Sequence, residues 1–321
     1  MSRSRWLAVA TLATVIGAGG AWLLMRGSVG SSTPVATGES SRQIDEVARE
    51  FARLRARPAD DRFNAPIDPA DADWRMPLAD VAGRLQAQAD AGEVHAMYVL
   101  GKRMSDCNRT LRDRTPEKLW TAYQDELEWA KRDGAERPDW DMSNRVRNAE
   151  THFIVGMQRY EECTSVERAR VAEGVDWLER AGRQGDRAAQ QAFAAALAKD
   201  LEDRNAVIRD VERLARRRQL AREWIEAGIR EGDESSLDLY VESHGYGSGL
   251  YARDLRTLVV YEYVRSLVRG RRIGEFDDLW STGPKHRHPE IPPDQWPSIQ
   301  SEGQRIFLAS FKDAPRSRRR W

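Results

Sequence analysis

Two stretches of the chain carry residue types at spacings that could do chemistry. In VESHGYGSGL, Val241 to Leu250, Glu242 and Ser243 stand ahead of Gly249-Leu250, and a single glutamate so placed could act as a general acid. Only six residues separate Glu242 from Gly249, and the same letters also describe a helix end followed by a loop, the reading preferred here. Lys285-His286-Arg287-His288 lies between prolines and offers two histidines that could hold a metal on an extended segment. No acidic or sulfur residue is spaced to complete the set, so a solvated loop is expected. His95 and His152 fall on helical stretches, where packing is the expected task, and Asp125, Glu126 and Glu128 read as a solvent face. No Gly-rich phosphate loop and no Gly-x-Ser-x-Gly occurs. The sequence therefore assigns no catalytic, cofactor-binding or metal residue and implies no cofactor.

The elements that would position such residues begin at the N-terminus. Trp6 to Met25 runs twenty residues without a charge, about 30 Å as a helix and so one hydrocarbon core. Arg3 and Arg5 precede it, which puts the N-terminus in the cytoplasm and the body outside. A cleaved signal peptide ending near Gly19-Gly20-Ala21 is the rival, but Trp22-Leu23-Leu24-Met25 prolongs the apolar run and favours a retained anchor. Residues 27–43 are rich in Gly, Ser and Thr and read as a flexible linker. Both readings export the remainder, to the periplasmic side of a bacterial inner membrane or free in the periplasm.

Cys107 and Cys163 are the only cysteines. In an oxidising space an even count argues for one disulfide, with free buried thiols as the alternative. The bridge would contribute about 4 kcal/mol in the chain-entropy account. The formal net charge is zero and gives no footprint for nucleic acid. The arginines of the tail, Arg316 and Arg318 to Arg320, read as a solvated end.

Beyond the linker the chain reads as all-α. Ile44, Val47, Phe51 and Leu54 give an amphipathic helix over 44–57 ended by Pro58, and residues 58–78 read as a loop. Three stretches then align. RLQAQADAGEVHAMYVLG starts at Arg84, WLERAGRQGDRAAQQAFA at Trp177 and WIEAGIREGDESSLDLYV at Trp224. Gly92, Gly185 and Gly232 fall at one position, followed four residues later by Ala96, Ala189 and Ser236 and four further by Leu100, Phe193 and Tyr240. The last two glycines are 47 residues apart and the first two 93, close to two periods, the mark of a helical solenoid. Gly185-Asp186 reads as the break between two antiparallel helices, glycine as a left-handed cap and aspartate capping the next helix. Ala181 and Ala189 allow close approach, while Trp177 and Phe193 fill the space between pairs; most Trp and Tyr side chains are assigned to the core.

This pattern resembles the Sel1-like repeat, a relative of the tetratricopeptide repeats, over about residues 79–270. Trp177-Leu178, Ala181, Gly185-Asp186, Ala189 and Phe193-Ala194 fit its unit. Trp224-Ile225, Gly232-Asp233, Ser236 and Tyr240 fit less closely, and Gly247-Ser248-Gly249-Leu250 falls at the family's G-x-G-V position. Residues 108–145 read as an insertion around a degenerate second unit ending in a helix from Ala149 to Tyr160. In that frame Cys107 and Cys163 lie in equivalent loops of adjacent units. Residues 271–321 form a C-terminal extension outside the pattern. The resemblance implies a non-enzymatic scaffold or adaptor that binds a protein or peptide on the repeat surface. The alternatives are a cell-wall-active enzyme, Glu242-Ser243 and Gly249-Leu250 being superficially similar to lytic transglycosylases, and an immunity- or chaperone-like binder of an exported toxin.

Overall fold

The structure is a computed structural model, which describes residues 38–56, 72–137, 142–202, 210–245, 249–273 and 288–314. These residues are helical almost throughout and contain no strand. None of their helices is long and apolar enough to cross a membrane. The segment Trp6–Met25, Gly247, His286 and the arginine tail lie outside the described residues.

The chain divides into two compact units, Met1–Arg53 and Leu54–Trp321. Helix α1, Gly38–Arg55, supplies the described part of the first. In the second, a short α2 (Ala72–Arg75) leads into α3 (Leu78–Asp90) and α4 (Val94–Asp113), which pack as a hairpin. Helices α5 (Pro116–Glu136) and α6 (Ser143–Thr164) form another, through which α6 reaches α4. Then come α7 (Arg168–Ala172), α8 (Gly174–Arg183), α9 (Arg187–Glu202), α10 (Val211–Arg230), α11 (Glu234–Gly245) and α12 (Leu255–Ile273). The described chain ends in α13, Trp296–Ile306, and a π-helical turn, Phe307–Phe311. Helix α8 packs on both α4 and α9, α9 on α10, α10 on α11, α11 on α12, and α12 on α13.

One turn recurs because one set of local interactions recurs. At Gly92, Gly185 and Gly232 φ is 93°, 92° and 78°, a region in which a Cβ is strained. The next residue's N–H returns to the carbonyl five positions back, Glu93 to Gln88 at 3.0 Å, Asp186 to Ala181 at 3.2 Å and Asp233 to Gly228 at 2.9 Å. Each glycine N–H bonds the carbonyl three back, which completes a Schellman end. Asp186 then accepts from the N–H of Ala189 at 2.7 Å and Asp233 from that of Ser236 at 2.7 Å, capping α9 and α11. The first turn has Glu93 in that place and no side-chain cap.

Small residues set the spacing between hairpins. A Cβ on Gly101 would meet the Leu178 backbone N at 2.8 Å, and one on Gly174 the Ser105 backbone N at 2.5 Å, so α4 and α8 touch main chain to main chain. Ala181, Ala189, Phe193 and Leu100 are fully buried, with Ala96 and Trp177 nearly so. The Phe193 ring meets Trp224 edge-on at 5.2 Å between centroids, so the large residue of one hairpin fills the space beside the next.

The Cys107–Cys163 disulfide is present, with Cα atoms 5.1 Å apart. It corrects the expected placement in loops. Helix α4 runs on through residue 107 to Asp113 and α6 reaches Thr164, so the bridge joins two packed helices. A second tie lies beside it, where Glu162 accepts from Arg103 at 2.5 Å and from the N–H of Leu78 at 2.9 Å, at the start of α3.

Candidate functional site

Helix α11 separates two polar clusters. One face carries Tyr240 and His244, one turn apart. Their rings lie 4.3 Å apart, and Tyr240 is 4.9 Å from Tyr251 and 4.4 Å from Tyr261, in the second turn of α12. His244 stacks on Tyr251 at 4.4 Å, its Nδ1 donating to the Tyr240 carbonyl at 2.9 Å. The loop bearing Tyr251 is held from α10, where Arg218 and Arg222 both donate to the Leu250 carbonyl, at 2.8 and 2.5 Å. Gly249, at φ 75°, turns the chain into that loop with its α-carbon against Leu201. Asp254 caps α12 through the N–H and hydroxyl of Thr257, and these bonds hold its carboxyl below the usual carboxylate range.

One of the three phenols in this cluster meets a carboxylate. The Tyr251 hydroxyl donates to Glu226 of α10 at 3.4 Å, and the Arg222 guanidinium lies 5.1 Å from the centre of the Tyr251 ring. Burial pushes the phenols of Tyr240, Tyr251 and Tyr261 above their ordinary value, and Glu226 adds to the shift of all three. The tyrosines are half-buried and Glu226 is exposed.

The opposite face of α11 borders a cleft of about 300 Å³ lined by Val241, Glu242, Leu258, Glu262, Arg265 and His288. Two residues weighed separately in the sequence, Glu242 and His288, meet there. His288 is not in a solvated loop. Its side chain is 14% exposed, and Nε2 lies 3.0 Å from Glu262 and Nδ1 3.5 Å from Glu290. Glu262 is 7% exposed and faces Arg265 at 3.6 Å. The imidazole therefore ties the C-terminal segment to α12, with both ring nitrogens directed at carboxylates. Glu242 is exposed on the helix. Among the described residues no group of three or more His, Cys, Asp or Glu is arranged to hold a metal ion.

Several expected placements are corrected. Tyr240 packs against the core but is only half-buried, beside the rings of Tyr251 and Tyr261. His95 and His152 are exposed on α4 and α6 rather than buried, His95 with its ring 6.4 Å from that of Tyr98. Asp125, Glu126 and Glu128 do face solvent, with Glu126 paired to Arg145 at 3.1 Å. Sequence reasoning missed Glu226, Tyr251, Tyr261 and Glu262. The one available signal was the density of tyrosine between 240 and 263.

Comparisons with protein-family models, with curated proteins and with solved structures find no match.

Proposed function

We propose that the chain is a helical-hairpin solenoid of Sel1-like units that serves as a protein-binding scaffold, anchored by residues 6–25 with its body in the periplasm. The observation that supports this most is the recurrence of one glycine-terminated turn at Gly92, Gly185 and Gly232, each joining two helices packed in sequence order. Such stacking leaves long helix faces for a partner and needs no reactive centre. The disulfide accords with an oxidising compartment. Crosslinking of the full chain in its native envelope, followed by mass spectrometry, is the test. One partner should be recovered repeatedly from membranes, in a stable one-to-one complex. Fractionation of the chain to the cytosol with free thiols would overturn the placement.

A second reading has one observation in its favour, the exposed Glu242 at the rim of the cleft that holds Glu262. A cell-wall hydrolase would use Glu242 as its acid, since Glu262 is engaged by His288 and Arg265. Peptidoglycan digestion by the purified chain, abolished by Glu242→Gln, would establish the enzyme and displace the scaffold.

A further inference from the structure

We propose that the tyrosine cluster around Glu226 is a docking surface for a basic side chain, arginine above all, presented by a partner protein. The inference rests on the scaffold reading and names the chemistry of the group that the scaffold holds.

Glu226 is exposed on α10, in a chain whose carboxylates are extensively ion-paired. Among the described residues no cation lies within ion-pair distance of it, and its hydrogen-bond partner is the Tyr251 hydroxyl. Tyr251 links that carboxylate to the other rings, since Tyr240 lies 4.9 Å from Tyr251 and 4.4 Å from Tyr261 between centroids, and the charge of Glu226 is felt by all three phenols. An exposed carboxylate beside half-buried rings provides two things a guanidinium requires, an oxygen pair to accept its N–H groups and aromatic surface beside them. Arg222 already lies near the ring centre of Tyr251, so the cluster accepts a guanidinium from its own chain. That side chain is committed to the Leu250 carbonyl and leaves Glu226 open.

The surface is also placed for a rigid contact. Its residues come from α10, α11, the loop before α12 and α12 itself, and two arginine bonds and the Asp254 cap fix that loop. Tyrosine offers contact area at low entropic cost, which is why it is enriched where proteins meet.

The test titrates the purified full chain, by calorimetry, with a seven-residue peptide of alternating glycine and arginine and with its citrulline counterpart, which keeps shape but loses charge. The arginine peptide should bind, and citrulline should weaken binding about tenfold. Glu226→Gln should weaken it by a similar factor, and Tyr251→Leu should weaken it further than Tyr251→Phe. Glu128→Gln, at an exposed carboxylate on α5, should leave it unchanged. Glu226 is a surface residue, so its variant should melt as the parent does. Equal binding of the two peptides, equal effects of the two Glu→Gln variants, or no heat at millimolar peptide each overturns the proposal. The scaffold reading fails separately: a partner crosslinked equally to parent and Glu226→Gln removes the docking surface alone.

Discussion

The α8–α9 hairpin and the α10–α11 hairpin share a turn and differ in the helix beyond it. Both end their first helix in a left-handed glycine and begin the second with an aspartate cap. Eight residues past the glycine, Phe193 is fully buried against Trp224, whereas Tyr240 is half-buried among two tyrosines and a histidine. Four residues past it, Ala189 and Ser236 are both buried, and Ser236 crowds Gly228. The turn is therefore separable from the surface that the helices carry. The glycine-aspartate pair fixes how the chain reverses, and the side chains beyond it decide how deeply the second helix is buried.

The two hairpins should part most widely at their aromatic positions. Phe193→Ala should cost about 3–5 kcal/mol, since the ring is enclosed and its neighbours cannot close the void. Tyr240→Ala should cost clearly less, because part of that ring already faces water. Urea denaturation measures both. Equal losses would show that Tyr240 is as enclosed as Phe193.

The turns themselves come next. Gly185→Ala places a Cβ in open space, so the expected cost is the left-handed backbone alone, about 1–2 kcal/mol. Gly232→Ala bears the same backbone cost and also drives a Cβ into the Ser310 carbonyl and the Ala314 side chain. It should be the more damaging and should raise hydrogen exchange over residues 307–314. If the two variants melt together, the C-terminal segment does not rest on this turn as described. The caps have smaller effects: Asp186→Ala should cost about 1 kcal/mol. Asp233→Ala should cost somewhat more, because Asp233 also accepts from Gln191 at 2.6 Å across the hairpins.

These turns were legible in the sequence because their bonds are local. A glycine with an aspartate behind it carries its own hydrogen-bond partners within five residues, and the repetition marked all three places. The cysteine pairing was legible from count and compartment, but not its setting. The repeat frame put Cys107 in a loop, whereas nothing between Gly101, which serves the close crossing of α4 and α8, and Asp113 breaks the helix. The site was hardly legible. Glu226, Tyr240, Tyr251 and Tyr261 come from three helices and a loop, at spacings that answer to no period. Glu262 and His288 are 26 residues apart and meet only through the return of the C-terminal segment. Pattern reading finds the features that the chain repeats, whereas these clusters depend on which helices the repetition brings side by side.

The smallest effect is electrostatic and separates the hairpins by pH. The α8–α9 hairpin contains no tyrosine, while Tyr240, Tyr251 and Tyr261 surround α11. Burial above all raises the pKa of these phenols in the folded chain, with a further contribution from Glu226, so folding favours their neutral form. Stability is then full below about pH 10, where unfolded tyrosines are also neutral, and falls as pH rises above that value because the unfolded chain ionises first. In an absorbance titration of the eight tyrosines, these three and Tyr98, also raised by burial, should ionise above the pH at which an unfolded tyrosine does. Hydrogen exchange above pH 10 should open α10–α12 before α8–α9. Tyr251→Phe should move the alkaline unfolding midpoint upward, since it removes a phenol whose ionisation favours the unfolded chain. Glu226→Gln should bring the Tyr251 titration down by lifting a repulsion from its phenolate. If all eight tyrosines ionise together near pH 10 in the folded protein, these phenols are not buried as described, and the contrast in pH response between the two hairpins is lost.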